Sequence, residues 1–290
     1  MKPYTLSWGN HSLVLGGRTL IMGVLNITPD SFSDGGKFEK FTDAIAHARQ
    51  MIADGADLID IGGESTRPFS DPIPAAEEIN RTAPIIREIV RETDIPISID
   101  TTKAAVAEAA LTAGACIIND ISALRGDPKM APLAADAGVP IILMHMQGTP
   151  KIMQQSPSYQ DVTGEVINFL QSASGIAEKQ GISSSKIFVD PGIGFGKTAA
   201  HNLTLIKNLF RFRSLGLPVV IGTSRKAFIR KTITGHPEKD LPPDMPAVIT
   251  GTQATIAAAI LGGANIVRVH DVAEAVITAR ITDAIKNAHD

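Results

Sequence analysis

Residues 53–64 read ADGADLIDIGGE, and their order is the unit from which the fold is read. A segment of helical period stops at Gly55. A short run of strand length, 58–61, comes next and empties into Gly62, Gly63 and Glu64. Glycine just past a helix supplies the left-handed turn that ends it. The same grammar recurs in TAGAC (112–116), ADAGVP (135–140) and LGGAN (261–265). Eight such runs are found, at 20–25, 58–61, 96–99, 115–118, 140–144, 187–189, 218–221 and 265–269. They are continuous rather than alternating, as in parallel strands buried on both faces. Helical segments lie between them, among them 42–54, 75–92, 104–113, 161–180, 202–215, 254–261 and 273–288. Strand-then-helix units of this number, in a chain of this size, predict one α/β domain over residues 1–290, a (β/α)8 TIM barrel. A doubly wound open sheet is the alternative, but no Gly-rich fingerprint comes after the first strand. The leading YTLSWGNHSLVLGG (4–17) predicts a short N-terminal β-hairpin around Gly9-Asn10 that closes the bottom of the barrel.

Composition is that of an ordinary globular chain: 44% of the 290 residues are hydrophobic and 20% charged. A net charge of −3 gives no electrostatic case for a nucleic-acid or membrane partner. The single cysteine, Cys116, excludes an internal disulfide and a Cys-based zinc site, and its apolar setting reads as a buried, inert thiol. No signal-peptide pattern opens the chain, and no run approaches the roughly 20 apolar residues of a membrane span. A cytoplasmic protein is expected.

In barrels of this kind the chemistry sits where the strands end. Strand by strand, the runs hand over Asn26; Gly62 to Arg67; Asp100; Asn119 and Asp120; His145; Asp190; Ser224, Arg225 and Lys226; and Arg268 with His270. Any one of these could be a helix cap or a solvated loop residue, and Asp120 could be a supporting residue. Their convergence on one rim predicts a functional site. The rim reads as charge-sorted. Lys226, Arg268 and His270 come from the last two strands, where this fold commonly binds phosphate. Asn26 offers an uncharged oxygen, which suits Mg²⁺, an ion that binds few protein ligands and leans on substrate phosphates. Asp100, Asn119 and Asp190 suit a heterocycle whose ring N–H and exocyclic NH₂ donate to carboxylates. The implied substrate is a flat, donor-rich ring tethered to phosphate.

Other motifs are set aside. PGIGFGKT (191–198) misses the P-loop spacing by one residue, because Pro191 stands where the first glycine belongs; it reads as a Gly turn with backbone close to a ligand. No His pair has zinc-helix spacing. His145 is open between a core histidine and a pocket residue. Neither Ser65 nor Ser224 sits in a nucleophile elbow.

Together, MGVLNITPDSFSDGG, DIGGESTRP, SIDTTK, NDIS, MHMQGTP, FVDPGIGFGKT, GTSRKAFI and VRVHDV resemble the dihydropteroate synthase family, in that family's order and over essentially the whole chain. The resemblance implies joining of 6-hydroxymethyl-7,8-dihydropterin diphosphate to p-aminobenzoate, with Mg²⁺ as cofactor and a homodimer as assembly. It implies that Asn26 contacts the metal and that Asp100, Asn119, Asp190 and Lys226 hold the pterin. Thr66, Arg268 and His270 would meet the diphosphate. Phe32, Arg67, Pro68, Phe195 and Ser224 would line the aminobenzoate side. Catalysis would fall to Lys226, Arg268, His270 and Asp100.

A reactive pterin cation must be kept from water, so segment 27–37 is expected to close as a lid with STRPFS (65–70), with Asp34 near the metal. Two departures from the family pattern stand out: Phe69 and Ser70 come after Pro68 where glycine is expected, and 244–259 is looser than the usual form before the last helices. A pterin-binding methyltransferase and a non-catalytic pterin-binding module are the competing readings. The methyltransferase has no use for a diphosphate cluster, and the intact set of Asn26, Lys226, Arg268 and His270 argues against the module.

Overall fold

The computed structural model describes residues 4–27, 37–66, 70–236 and 239–288. Two strands, β1 (Tyr4–Trp8) and β2 (His11–Leu15), form an antiparallel hairpin that pairs Trp8 with His11. Leu6, Trp8, Leu13 and Leu15 face inward on it and are buried. Trp8 reaches Cys116, which lies just ahead of a barrel strand, so the hairpin covers the N-terminal end as expected. Burial pushes the Cys116 thiol up to about 11, which makes it inert.

Eight parallel strands come next: β3 (Leu20–Asn26), β4 (Leu58–Gly62), β5 (Ile97–Asp100), β6 (Ile117–Asp120), β7 (Ile141–Met144), β8 (Ile187–Asp190), β9 (Val220–Ile221) and β10 (Ile266–Val269). They pair in the order β8-β7-β6-β5-β4-β3-β10-β9. A parallel bridge between Val189 and Val219, with Val189 N–H donating to Pro218 O at 3.0 Å, joins the two ends of that order and closes the barrel. Helices α1 (Lys37–Ala53), α2 (Ala75–Glu92), α3 (Ala104–Ala113), α4 (Met130–Ala137), α5 (Val162–Lys179), α6 (Ala199–Lys207), α7 (Ala227–Thr234), α8 (Pro246–Gly262) and α9 (Val272–Lys286) surround it. Among the described residues, no helix is long and apolar enough to cross a membrane.

The glycine stops read from sequence hold. Gly114, Gly138 and Gly263 are left-handed caps of α3, α4 and α8. Three helical expectations differ from the structure. The segment expected as one helix over 202–215 breaks at Asn208 into α6 and a 3₁₀ turn, Leu209–Leu215, on which Leu209 and Phe212 are buried. The helix expected from residue 254 starts at Pro246, where proline at the first position costs no hydrogen bond. The looser 244–259 stretch therefore forms a complete helix. Helix α7 is absent from the sequence expectation, because it is short and begins directly behind the polar SRK.

Candidate active site

Every strand of the barrel delivers its last residues to one rim, and the structure brings most of the expected groups together there. Asn26 ends β3, Asp100 ends β5, Asn119 lies at the end of β6, Asp190 ends β8, and Lys226 comes after β9. Gly62 is the hinge of this side: a Cβ built on it would touch the Asp100 Cβ at 3.5 Å and the Asn26 Oδ1 at 3.7 Å. Gly222 plays the same part opposite, with Arg268 Cβ at 3.7 Å and Lys226 Nζ at 3.8 Å from its built Cβ. Small residues between the functional ones leave the mouth of the barrel open.

The charge sorting expected from sequence is not what the structure shows. Arg268 does not stand apart with the cations. Its Nε donates to Asp60 Oδ2 at 2.5 Å and its Nη2 to Asp100 Oδ2 at 2.7 Å. Asp60 is fully buried and Asp100 is 8% exposed, so a guanidinium between them is the obvious way to hold two carboxylates out of water. Burial raises the Asp100 carboxyl to about 7, with Arg268 opposing that rise and Asp60, Glu78 and Asp120 adding to it. Burial also disfavours the Arg268 charge, but Asp60, Asp100 and Asp190 outweigh it and hold the guanidinium above its ordinary value.

Asp60 is missing from the sequence-predicted site. The residues just beyond each run are the natural place to look, and Asp60 lies inside one. A carboxylate in the middle of an otherwise apolar strand is the available signal, since it must find a partner in the barrel interior. Asn119 Nδ2 also donates to Asp60 Oδ2, at 3.0 Å. Among the described residues, Asp60 Oδ1 and Asp100 Oδ1 are buried with no hydrogen-bond partner. Two buried acceptors left unmatched beside one another are a costly feature, and a ligand offering N–H donors relieves it.

Asp190 is 7% exposed, and its Oδ1 accepts from Gly192 N–H at 2.6 Å. Burial pushes its carboxyl up, and Lys226, Arg268 and Lys197 pull it back. The Lys226 ammonium donates to Ile193 O and lies 4.7 Å from the centre of the Phe195 ring. Burial pulls Lys226 down to about 8; Asp190 and Asp100 work against that shift and Arg268 with it. Ser224 Oγ accepts from the His270 backbone N–H at 3.2 Å and sits 3.0 Å from His270 Nδ1. Either atom of that second pair donates, according to the imidazole tautomer. Burial and the cations Arg268 and Arg225 pull His270 down to about 3, so His270 is a neutral donor here rather than the cation the sequence suggests.

Thr66 is half-buried beyond β4. The base of its segment is fixed by Lys103, whose Nζ lies 2.5 Å from Glu64 Oε2 and 2.6 Å from Glu78 Oε2. Phe32, Asp34, Arg67, Pro68 and Phe69 lie outside the described residues, as does most of the expected lid. Asp120 is a supporting residue: its Oδ1 accepts from Ser122 N–H and its Oδ2 from Leu124 N–H, at 2.8 and 2.7 Å. It thereby holds a turn in which Ala123 and Leu124 both have positive φ. His145 is a core histidine, 6% exposed, packed edge-on against Phe169.

The glycine loop behind β8 is not a phosphate cradle. The Gly192 and Gly194 amides are taken by Asp190 Oδ1 and Asn202 Oδ1. Gly192, at φ +67°, has no room for a side chain, because a Cβ there would run into the His145 carbonyl oxygen.

No group of three or more His, Cys, Asp or Glu side chains that could hold a metal exists among the described residues. The Asn26 amide makes no side-chain hydrogen bond among them either, beside a glycine and at the mouth of the pocket. A single amide oxygen fits an ion that takes its other ligands from a substrate and water.

Known proteins share this fold and much of this sequence. The family of pterin-binding enzymes matches residues 22–270. A dihydropteroate synthase of Synechocystis is 46% identical over 98% of this chain and 96% of its own length. The Yersinia pestis dihydropteroate synthase, solved as a sulfonamide drug complex, superposes with a TM-score of 0.90 at 40% identity, covering 98% of this chain and all of that one. The Xanthomonas albilineans enzyme, solved with 7,8-dihydropteroate, gives a TM-score of 0.83 at 39% identity over 95% of this chain and 97% of that one. With a family match across the barrel and relatives at this identity over nearly its full length, the chain belongs to the dihydropteroate synthase family of pterin-binding enzymes.

Proposed function

We propose that this chain condenses 6-hydroxymethyl-7,8-dihydropterin diphosphate with p-aminobenzoate, giving 7,8-dihydropteroate and diphosphate, and that the pterin is read by Asp60, Asp100, Asn119 and Asp190. The observation that carries this is the pair of orphaned acceptors, Asp60 Oδ1 and Asp100 Oδ1. An aminopyrimidinone edge offers a ring N–H and an NH₂, the donors those oxygens lack. The Asn119 Oδ1 is free to accept while its Nδ2 is anchored on Asp60.

The chemistry depends on this seating. The bond between the pterin methylene carbon and the diphosphate oxygen breaks, and its electron pair leaves with the diphosphate. The carboxylates around the ring favour the resulting cation. Charge on the leaving group is met by Arg268, by the His270 imidazole and by Thr66, where it develops. Asn26 would hold Mg²⁺, which when bound would supply further stabilisation of that charge. The aniline nitrogen then forms the C–N bond and gives up its proton. It is a weak nucleophile, so the enzyme's contribution is to hold it close to the reactive carbon and away from water. The Phe195 ring and Ser224 supply an apolar face and a polar group suited to an anionic aromatic ring, and Lys226, assigned by the resemblance to the pterin, also borders this side, its ammonium 4.7 Å from the centre of the Phe195 ring. Phe32, Arg67 and Pro68 are assigned to the same side.

The assignment is tested by supplying both substrates to the purified chain. Dihydropteroate and diphosphate are expected in equal amounts, with loss of both on chelation of the metal. Diphosphate release with no coupled product contradicts it.

The pH dependence has a definite sign. Lys226 is an ammonium below about 8 and neutral above it. The groups facing it are Asp190, Asp100 and Arg268. Aminobenzoate, which needs that cation, is expected to show a rising KM as pH climbs through about 8. Lys226→Arg removes the inflection; an inflection that survives it belongs to another group.

A homodimer and a cytoplasmic location complete the reading. Ile277, Ile281 and Ile285 repeat every fourth residue along α9, each over 60% exposed, and Leu261 of the adjacent α8 is 52% exposed. An apolar stripe of this kind suits a second copy of the chain. Sedimentation is expected to give a dimer that Ile281→Glu converts to monomer; a monomeric wild type contradicts it.

A further inference from the structure

Lys197 takes no part in the reaction derived above, yet it is one of the most buried charged residues of the protein, at 2% exposure. Its Nζ donates to Gly192 O at 2.9 Å and Phe195 O at 3.0 Å, and lies 2.9 Å from His145 Nδ1. It thus ties the loop behind β8 to the end of β7. The rest of that loop is held in the same way. Lys226 donates to Ile193 O, Gln154 Nε2 to Gly194 O at 2.5 Å, and the Tyr159 hydroxyl to Gly196 O at 2.8 Å. Five consecutive carbonyls, 192–196, each accept from a side chain. A surface loop ordinarily leaves such groups to water. This one is built as a rigid wall, and Lys197 alone supplies two of its five clamps.

The wall faces the site. It carries Phe195, and a Cβ at Gly194 would lie 3.0 Å from the Lys226 Cδ, so the Lys226 stem runs along it. We propose that Lys197 is a positioning residue of the synthase: by pinning the 192–196 loop to His145, it sets the places of the Phe195 ring and the Lys226 ammonium on the aminobenzoate side. The proposal rests on the reading of that side given above. The neighbouring imidazole is suited to its part, since burial and the adjacent cations pull His145 down to about 2 and leave Nδ1 free to accept.

The test is steady-state kinetics of Lys197→Met in the full chain with both substrates varied. The KM for p-aminobenzoate is expected to rise roughly tenfold, with the KM for the pterin diphosphate within about twofold of wild type. Phe195→Ala is expected to show the same split. Lys197→Arg keeps a charged donor at the end of a long stem and is expected to retain most of the wild-type KM, a rescue that a merely structural role would not require. Unchanged KM values, or a loss of kcat that tracks the folded fraction with both KM values intact, overturn the proposal. If Lys197→Met does not fold, Tyr159→Phe removes one clamp at the loop's accessible end. A rise of about threefold in the aminobenzoate KM supports the proposal and no rise overturns it. Phe195→Ala with an unchanged aminobenzoate KM fails differently: it removes the placement of Phe195 on which the proposal stands.

Discussion

Arg268→Ala is expected to lose synthase turnover by roughly a hundred- to a thousandfold and to lose stability as well. The two losses have different origins. Turnover falls because a cation assigned to the departing diphosphate is gone. Stability falls because Asp60 and Asp100, both buried, lose the guanidinium that bridges them. Breaking a buried ion pair from one side costs about 3–5 kcal/mol. The pH dependence has a sign of its own. Without Arg268 the Asp100 carboxyl is held further above its unfolded value, so the folded state binds the extra proton. The deficit is therefore small below the ordinary aspartate value of about 3.9 and grows as pH rises through about 7 and beyond. Urea unfolding across that range measures it. The double variant Asp60→Asn/Arg268→Met is expected to recover much of the stability and none of the turnover. Recovery of both contradicts a role for Arg268 at the leaving group.

Asp190→Asn is expected to weaken pterin binding by roughly thirty- to a hundredfold, from loss of a charge-assisted hydrogen bond to a ring donor. The amide oxygen of asparagine still accepts from Gly192 N–H, but fold stability is expected to fall as well, because the buried Lys226 and Lys197 lose the Asp190 charge that favours their ammonium forms. The amide's NH₂ then meets the ligand's own donor. Titration of the pterin into this variant reads the effect directly, and wild-type affinity contradicts the ring-facing role.

Much of the barrel is legible in the sequence because each of its units ends in the same way: a glycine stops the helix, and a short apolar run buries on both faces. The rim is legible for a related reason, since a polar residue directly after a buried strand has few places to go. The features that are not legible have a physical cause in each case. Asp60 sits inside a strand, and periodicity reads a strand by its apolar frame. Sequence order groups Arg268 with the cations because it comes from the last strand. Its side chain is long enough to cross to the carboxylates, and sequence position does not fix where a guanidinium ends. Sequence order groups His270 with the cations of the last two strands, whereas burial beside Arg268 and Arg225 keeps it neutral. Lys197 looks like part of a near-miss nucleotide motif, and only the tertiary contacts reveal that its ammonium serves the loop's own carbonyls. The break at Asn208 leaves no periodic trace, because Leu205, Ile206, Leu209 and Phe212 are all buried and keep helical spacing across it.

The central claim is that unmatched buried oxygens of Asp60 and Asp100, together with Asp190, select a ring by its donors. Calorimetric titration of 6-hydroxymethyl-7,8-dihydropterin against its analogue lacking the 2-amino group tests it most directly. Roughly thirtyfold or weaker binding of the analogue is expected, because a buried acceptor is then left without a partner. Equal affinity for the two rings contradicts the account.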